Sequence, residues 1–207
     1  MSAAAARPRL WLPLYGTADE PEWPVLVTVV LALVLGSILQ IAVTSATSVV
    51  SNDGVSVAVP ASWTTFDEEG ALVAARDASG GPTTARVVVT ALARTAATAE
   101  GGAKAAADQR SLQLADAVPS YRSIGARTLT VGGRAAAQLD YVMLARDRDG
   151  VVLPVLMRAR DTIVPSGDRF LVLTFATEST RWRDLTEASF PRATSVFGTI
   201  RDSWRVP

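Results

Sequence analysis

An uninterrupted apolar run near the start of the chain limits the possible structures more than any other feature. Val25 to Val43 contains 19 residues without a charge, and 13 of them are Val, Leu or Ile. Their transfer into lipid contributes about −5 kcal/mol to insertion, which the few polar residues of the run cannot offset. A helix of this length spans about 30 Å, the thickness of a bilayer's hydrocarbon core. The run therefore predicts a transmembrane helix over residues 24–45, preceded by a tail over residues 1–23.

A cleaved signal peptide is the alternative interpretation of the same run. The small residues at 44–46 have the composition of a cleavage site, which keeps this alternative open. Against it, the region before the run carries the acids Asp19, Glu20 and Glu22, and the run is longer than a typical signal-peptide core. We therefore expect a retained anchor.

The distribution of basic residues predicts the orientation of this anchor. Arg7 and Arg9 precede the helix, whereas the first basic residue after it is Arg76. Positively charged flanks remain on the cytoplasmic side of a membrane. We expect a cytoplasmic N-terminus and a C-terminal domain on the periplasmic or extracellular side.

Small and polar side chains recur every four residues along one stripe of the predicted helix. We expect the stripe residues to pack on partner helices: Thr28, Ala32, Gly36 and Gln40. Ala32 and Gly36 form a small-xxx-small pattern that lets two helix backbones approach closely, and Gln40 can hydrogen-bond across such a contact. The alternative is chance, because single-pass helices often contain a few small residues.

An apolar segment broken by Pro13 lies ahead of the helix. Because a regular helix cannot continue through this proline, we expect the segment to lie at headgroup level or to dock on a partner. The residues predicted to dock are Trp11, Leu12, Leu14 and Tyr15. The alternative is a tail that makes only non-specific contact with the bilayer surface.

Composition excludes several functional classes. The chain has no cysteine and no histidine, so it lacks disulfides, Cys/His zinc sites and the commonest general base near neutral pH. Lys+Arg and Asp+Glu are balanced at 20 each, whereas a nucleic-acid binder normally presents a basic face. We expect no cofactor, no metal and no nucleic-acid partner.

The rest of the chain predicts an α+β domain over residues 55–207, after a linker over residues 46–54. Val55, Val57 and Val59 alternate as a strand that ends at Pro60. Period-two patterns predict further strands at 71–75, 85–92, 128–131, 134–146, 151–164 and 169–177. Helices are predicted at 103–117, from an N-cap at Thr180 to about 188, and at 194–200, with Pro191 separating the last two. The arrangement is a mostly antiparallel sheet flanked by helices.

Turn chemistry predicts the register of one hairpin. A three-residue loop at 148–150, with Gly150 in the left-handed conformation, sets Asp147 opposite Val151. The predicted pairs on the apolar face are Tyr141–Met157, Met143–Val155 and Leu139–Ala159, and those on the other face are Asp140–Arg158 and Gln138–Arg160.

No motif in the chain predicts catalysis. The acidic turn at 147–150 lacks the ligands of a calcium loop, and the adjacent acids at 67–69 are typical of a solvated loop. Arg158 and Arg160 could bind an anion, but the predicted register gives them ordinary cross-strand partners. The chain has neither a nucleophile elbow nor a phosphate loop. We therefore expect no enzymatic activity.

Several segments together resemble PsbP-like domains. The resemblance rests on the strand and Pro60-x-x-Trp63 opening in 57–63, the hairpin sequence at 131–141, the strand at 170–175 and a closing helix through 195–197. It covers about residues 52–202. It implies a sheet–helix scaffold found in extrinsic photosystem subunits, bacterial lipoproteins and assembly or binding factors, which are largely non-catalytic. The metal-linked histidines of some photosystem members have no counterpart here.

These observations together predict a non-enzymatic accessory or assembly subunit of a larger membrane complex, photosynthetic or respiratory. Its expected partners are the other subunits and the lipid bilayer. The alternative is a stand-alone membrane-tethered module that binds a ligand or a cell-envelope partner. A complex subunit should depend on Gly36, whereas a tethered module should work on any anchor.

Overall fold

A computed structural model describes residues 23–79, 81, 83–146, 150–188 and 194–207. The chain divides into two compact units, residues 1–40 and residues 41–207. Each unit is described by itself.

Helix α1, Trp23–Ser45, accounts for the described part of the first unit and continues into the second. Its segment Trp23–Ala42 has a mean hydropathy of 2.6 and no buried residue. The hydroxyls of Thr28 and Ser37 donate hydrogen bonds to carbonyls one turn earlier, at 2.8 Å each, so the helix itself satisfies these polar groups. The helix is long and apolar enough to cross a membrane. A signal sequence near the N-terminus can also reach this length and hydropathy.

The described residues of the second unit form nine strands in two antiparallel sheets. The first sheet is a hairpin of β1 (Thr47–Asn52) and β2 (Val55–Pro60). The second has seven strands in the order β3-β4-β5-β9-β8-β7-β6. Its strands are β3 (Trp63–Thr65), β4 (Ala71–Asp77), β5 (Arg86–Ala93), β6 (Arg122–Val131), β7 (Arg134–Arg146), β8 (Val152–Ser166) and β9 (Arg169–Glu178).

The large sheet is covered on both faces. Helix α2 (Ala96–Ala117) packs on β6, β7 and β8. The other face carries the β1–β2 hairpin, the short helix α3 (Trp182–Thr186) and helix α4 (Val196–Ser203). Side chains of β9 alternate between these layers, with Phe175 in the cluster below α4 and Phe170 in a cluster below α2. The expected α+β class, with a mostly antiparallel sheet flanked by helices, is confirmed.

Helix α2 begins seven residues before its predicted start. Thr95 is the N-cap, and it exchanges hydrogen bonds with Thr98 in a capping box. Gly102 interrupts the helix with φ 62° and ψ −149°. This kink explains why the helical pattern in the sequence starts only at Ala103.

Two other segments differ from their sequence-based description. The range 46–54, predicted as a linker, contains strand β1 and the Asp53-Gly54 turn that joins it to β2. Thr180, predicted as a helix N-cap, lies inside a 3₁₀ turn at Ser179–Arg181 that precedes α3. Pro191 lies outside the described residues.

The predicted register of the β7–β8 hairpin is wrong by two residues over most of its length. Beside the turn, Arg146 pairs with Val152 as predicted, but the register shifts between Leu144 and Arg146. Pro154, which has no N–H to donate, lies in the extra length of β8 and favours this irregularity. The corrected pairs are Met143–Met157, Tyr141–Ala159, Asp140–Arg160, Leu139–Asp161 and Gln138–Thr162.

A shift of two residues leaves every side chain on its predicted face, because the side-chain period of a strand is two. Gly150 has φ 79°, the left-handed conformation predicted for it. Residues 147–149 of the turn, including the acidic pattern considered as a calcium loop, lie outside the described residues.

Replacement of Trp63 by alanine should reveal how far the edge of the sheet depends on this residue. The Trp63 ring is partly buried and stacks on Phe175 with 6.4 Å between ring centroids. Trp63→Ala should lower the free energy of unfolding by about 3 kcal/mol, because the ring leaves a gap over Phe175. Ile124→Ala, at a side chain that is 52% exposed, is the control and should cost less than about 0.5 kcal/mol. Urea unfolding of residues 41–207 measures both, and equal losses would contradict this packing.

Candidate functional site

A pocket of about 370 Å³ opens between helix α2 and the sheet. Strand β5 contributes one wall, the C-terminal half of α2 another, and β7 and β8 the far side. The lining includes Glu68, Arg86, Arg110, Leu114, Val118, Tyr141, Met143, Arg146, Met157 and Thr174. The pocket combines apolar walls with several charged groups.

Strand pairing places the polar groups of the pocket in two neighbouring rows. One row crosses four strands from Arg86 through Ala176 and Ala159 to Tyr141. Because both central residues are alanine, no long side chain fills the space between Arg86 and Tyr141. The next row sets Thr174 beside Asp161.

Asp161 is the most buried charged group of this site. Its side chain has no exposed surface, and its carboxylate accepts a hydrogen bond from Arg110 Nε at 3.1 Å. The Tyr141 hydroxyl donates to the same carboxylate at 3.2 Å, and Thr174 supplies a further side-chain hydrogen bond. A buried carboxylate is tolerated only when it is paired and hydrogen-bonded in this way. The contacts therefore tie α2, β7, β8 and β9 together.

Burial dominates the titration of this cluster. It raises the pKa of Asp161, while the Arg110 charge and three side-chain hydrogen bonds oppose the rise. Burial also raises the pKa of Tyr141 well above its ordinary value, and the Asp161 charge adds to the effect. The Tyr141 phenol is therefore protonated near neutral pH and acts as a hydrogen-bond donor, not as a base or a nucleophile.

The remaining charges of the pocket differ in their surroundings. Glu68 and Arg146 are exposed at its rim, where water screens them. Arg86 is partly buried, and among the residues that the structure describes it has neither an ion-pair nor a hydrogen-bond partner. Arg86 is thus the one arginine of the lining whose guanidinium is both sheltered and uncommitted within the described chain.

The opposite face of the sheet holds the two arginines that the sequence marked as possible anion binders. Arg160 is committed to Asp140, with Nε–Oδ1 and Nη2–Oδ2 distances of 2.6 and 3.1 Å. Arg158 lies over the Trp182 ring, 4.8 Å from its centroid. Its cross-strand neighbours are Val142 and Thr177, so the predicted pairing with Asp140 is wrong. Both arginines are therefore engaged in contacts within the domain, Arg160 with a carboxylate and Arg158 with an aromatic ring.

The sequence-predicted site residues lie elsewhere. Thr28, Ala32, Gly36 and Gln40 are exposed along α1, and a Cβ added at Gly36 would meet nothing within 4 Å. Their packing on partner helices stays a prediction. The tail residues Trp11, Leu12, Leu14 and Tyr15 lie outside the described residues.

The sequence does not predict the pocket, although it contains one signal for a buried polar site. Asp161 occupies a position of β8 whose neighbours on the same face are Ala159 and Ile163. A carboxylate in an apolar alternation requires a buried partner. Nothing in the sequence indicated that the partner would be Arg110, 51 residues away.

The described residues do not form a metal centre. Among them, no group of three or more Asp, Glu, His or Cys side chains is placed to hold a metal ion. The charged residues of the pocket lining are Glu68, Arg86, Arg110 and Arg146.

Comparison with known proteins identifies the fold. No protein-family model and no curated protein sequence matches the chain. The solution structure of cyanobacterial PsbP (CyanoP) from Synechocystis matches with a TM-score of 0.55 and 18% identity, covering 79% of this chain and 94% of that one. LpqN of Mycobacterium tuberculosis, described as involved in cell envelope biogenesis, matches with a TM-score of 0.50 and 14% identity, covering 78% and 91%. The chain therefore has the PsbP-like fold that its sequence resembles.

Removal of the Arg110 charge should destabilise the domain in a pH-dependent manner. Arg110→Met keeps an apolar stem but leaves Asp161 buried without a counter-charge, which should cost about 3–5 kcal/mol near neutral pH. Since Arg110 lowers the pKa of Asp161, the substitution raises that pKa further above the unfolded-state value. The deficit is therefore full above the raised pKa and shrinks as the pH falls through it, because Asp161 then takes up a proton.

Urea unfolding of variant and wild type at a series of pH values measures this effect. Arg183→Met is the matched control, because the Arg183 side chain is 83% exposed on α3 and should contribute less than about 0.5 kcal/mol. A deficit for Arg110→Met that stays constant with pH would contradict the assignment of the Asp161 charge.

Proposed function

We propose that the protein is a non-enzymatic accessory subunit of a larger membrane complex, anchored by α1. The observation that carries the proposal is the exposure of this helix. Its segment Trp23–Ala42 is apolar and has no buried residue, so water is an unfavourable environment for it and lipid a favourable one. A helix of this kind needs a bilayer, and its small residues allow another helix to approach.

The stripe of α1 supports contact with partner subunits. The space around Gly36 is open, and the hydroxyl of Thr28 is satisfied within the helix. In lipid, helices associate through close van der Waals packing at small residues. Ala32 and Gly36 provide such a surface, and the PsbP-like fold shared with CyanoP favours a photosynthetic or respiratory complex.

The domain's polar groups support a binding role without catalysis. The chain lacks histidine and cysteine, and the protonated Tyr141 is committed to Asp161. The Asp161 carboxylate is fully buried, is paired with Arg110 and accepts hydrogen bonds from Tyr141 and Thr174, so it is already committed to contacts that hold the domain together.

The pocket favours a second candidate function. A stand-alone, membrane-tethered module would bind a ligand or an envelope partner through the domain, and α1 would serve only as its anchor. A sheltered pocket of about 370 Å³ is the specific observation behind this candidate, since small-molecule sites have volumes of about 300–1,000 Å³. The cell-envelope role described for LpqN is consistent with it.

The proposed topology places residues 46–207 outside the cytoplasm. Protease added to intact spheroplasts should degrade this domain and leave a fragment that contains the N-terminal tail, because only the tail is then shielded by the membrane. Epitope tags at both ends, followed by immunoblotting, measure this. Protection of the C-terminal tag until lysis would reverse the proposed orientation.

Substitution on the α1 stripe tests the accessory role. Gly36→Leu should abolish association with partner helices, because a large side chain keeps the backbones apart, while membrane insertion is retained or improved. Leu35→Val, one position round the helix, is the control and should change recovery little. The measurement is recovery of co-purifying membrane proteins in mild detergent at equal expression. Equal recovery with Gly36→Leu and wild type would favour the tethered module.

A further inference from the structure

We propose that the pocket beside α2 binds a small monocarboxylate with an apolar body, and that Arg86 receives the carboxylate. This inference rests on the binding role of the domain proposed as the second candidate function. It is independent of whether α1 packs on partner helices.

The position of Arg86 suits an anion that enters the pocket. Arg86 starts from the same row as Tyr141, and only Ala176 and Ala159 lie between them. Arg86 lines the pocket, and it lies close enough for its charge to act on the Tyr141 phenol. A guanidinium presents a planar set of donors that matches a carboxylate with two parallel hydrogen bonds.

The charges around the pocket favour a single negative charge on the ligand. The Arg110 charge is neutralised by Asp161 in a contact of 3.1 Å. Glu68 and Arg146 have opposite signs and are exposed at the rim, where solvent screens them. The cation of the lining that remains sheltered and without an ion pair is Arg86. Its cross-strand neighbour Arg76 does not line the pocket and lies over the Phe66 ring, 5.3 Å from its centroid. A monocarboxylate balances it, whereas a phosphate dianion would bring a second charge without a counter-charge.

The walls of the pocket favour an apolar body on the same molecule. Leu114 lines it from α2 and Val118 from the C-cap position of this helix, and Met143 and Met157 line it from β7 and β8. The two methionines form a cross-strand pair, and their flexible thioethers adapt to ligands of irregular shape. A charged ligand without an apolar body would leave these apolar walls in contact with water. An apolar ligand without a charge would leave Arg86 without a partner.

The test compares three probes of nearly equal shape: 4-phenylbutyrate, 4-phenylbutan-1-ol and 4-phenylbutylamine. The full chain is reconstituted in nanodiscs of zwitterionic lipid, and binding is measured by isothermal titration calorimetry against empty nanodiscs. We expect saturable binding of the carboxylate, and binding of the alcohol and the amine at least about tenfold weaker, because one charge-assisted contact is worth about that factor. Acetate, which lacks the apolar body, should also bind at least about tenfold more weakly.

Variants of Arg86 assign the contact. Arg86→Gln should weaken 4-phenylbutyrate binding at least about tenfold, and Arg86→Lys, which keeps the charge but loses the planar pair of donors, should fall between Gln and wild type. Arg183→Gln removes an exposed arginine outside the pocket and should leave binding unchanged. Circular dichroism melts confirm that each variant is folded.

The outcomes separate this inference from the proposed functions. Equal binding of the three probes, or an Arg86→Gln variant that is folded and binds like wild type, would overturn the carboxylate assignment and leave a ligand-binding module. The absence of saturable binding by any probe would overturn the pocket as a site for this ligand class. Neither result bears on the accessory role, which the Gly36→Leu experiment tests by itself.

Discussion

Asp161 lies near the middle of β8 with no exposed surface, and the α2 side of the domain depends on satisfying its charge. An unpaired carboxylate at this depth would cost several kcal/mol, so Arg110 must stay over the sheet and Tyr141 must stay protonated. These contacts hold the C-terminal half of α2 over β7 and β8. The space that remains towards β5 is the pocket, and Arg86 forms part of its wall. One buried charge thus positions a helix and shapes a candidate binding site.

Local chemistry was sufficient to predict most of the fold. The bounds of β7 were predicted as observed, because 134–146 lies between two turn signals and contains neither Gly nor Pro. The left-handed Gly150 was also predicted from turn chemistry. The register beyond the turn was not, since the shift near Pro154 depends on how two long strands accommodate a residue that cannot donate a hydrogen bond. The first turns of α2 were not predicted, because Gly101 and Gly102 are poor helix formers and indicate a break before Ala103.

The candidate site was less accessible to sequence reasoning, because its parts are distant along the chain. Arg86, Arg110, Tyr141 and Asp161 come from four elements and meet only through strand order and helix docking. Any one of them is unremarkable as a residue type, and only Asp161 conflicts with the apolar pattern around it. The apolar helix α1 is the opposite case, since a run of consecutive apolar residues is a local property of the sequence. The apolar composition of this one segment is sufficient to predict an anchor. The pocket cannot be predicted in this way, because its residues meet only in the assembled sheet.

The central claim is that α1 joins this PsbP-like domain to other subunits in a membrane. Native mass spectrometry of the wild-type protein, released from its own membranes in mild detergent, tests that claim most directly. We predict a stoichiometric assembly that contains at least one further integral membrane protein. The Gly36→Leu variant, in which the helix contact is blocked, should be released without that protein. Release of the wild-type protein as a single chain that carries only bound lipid or detergent would contradict the accessory role.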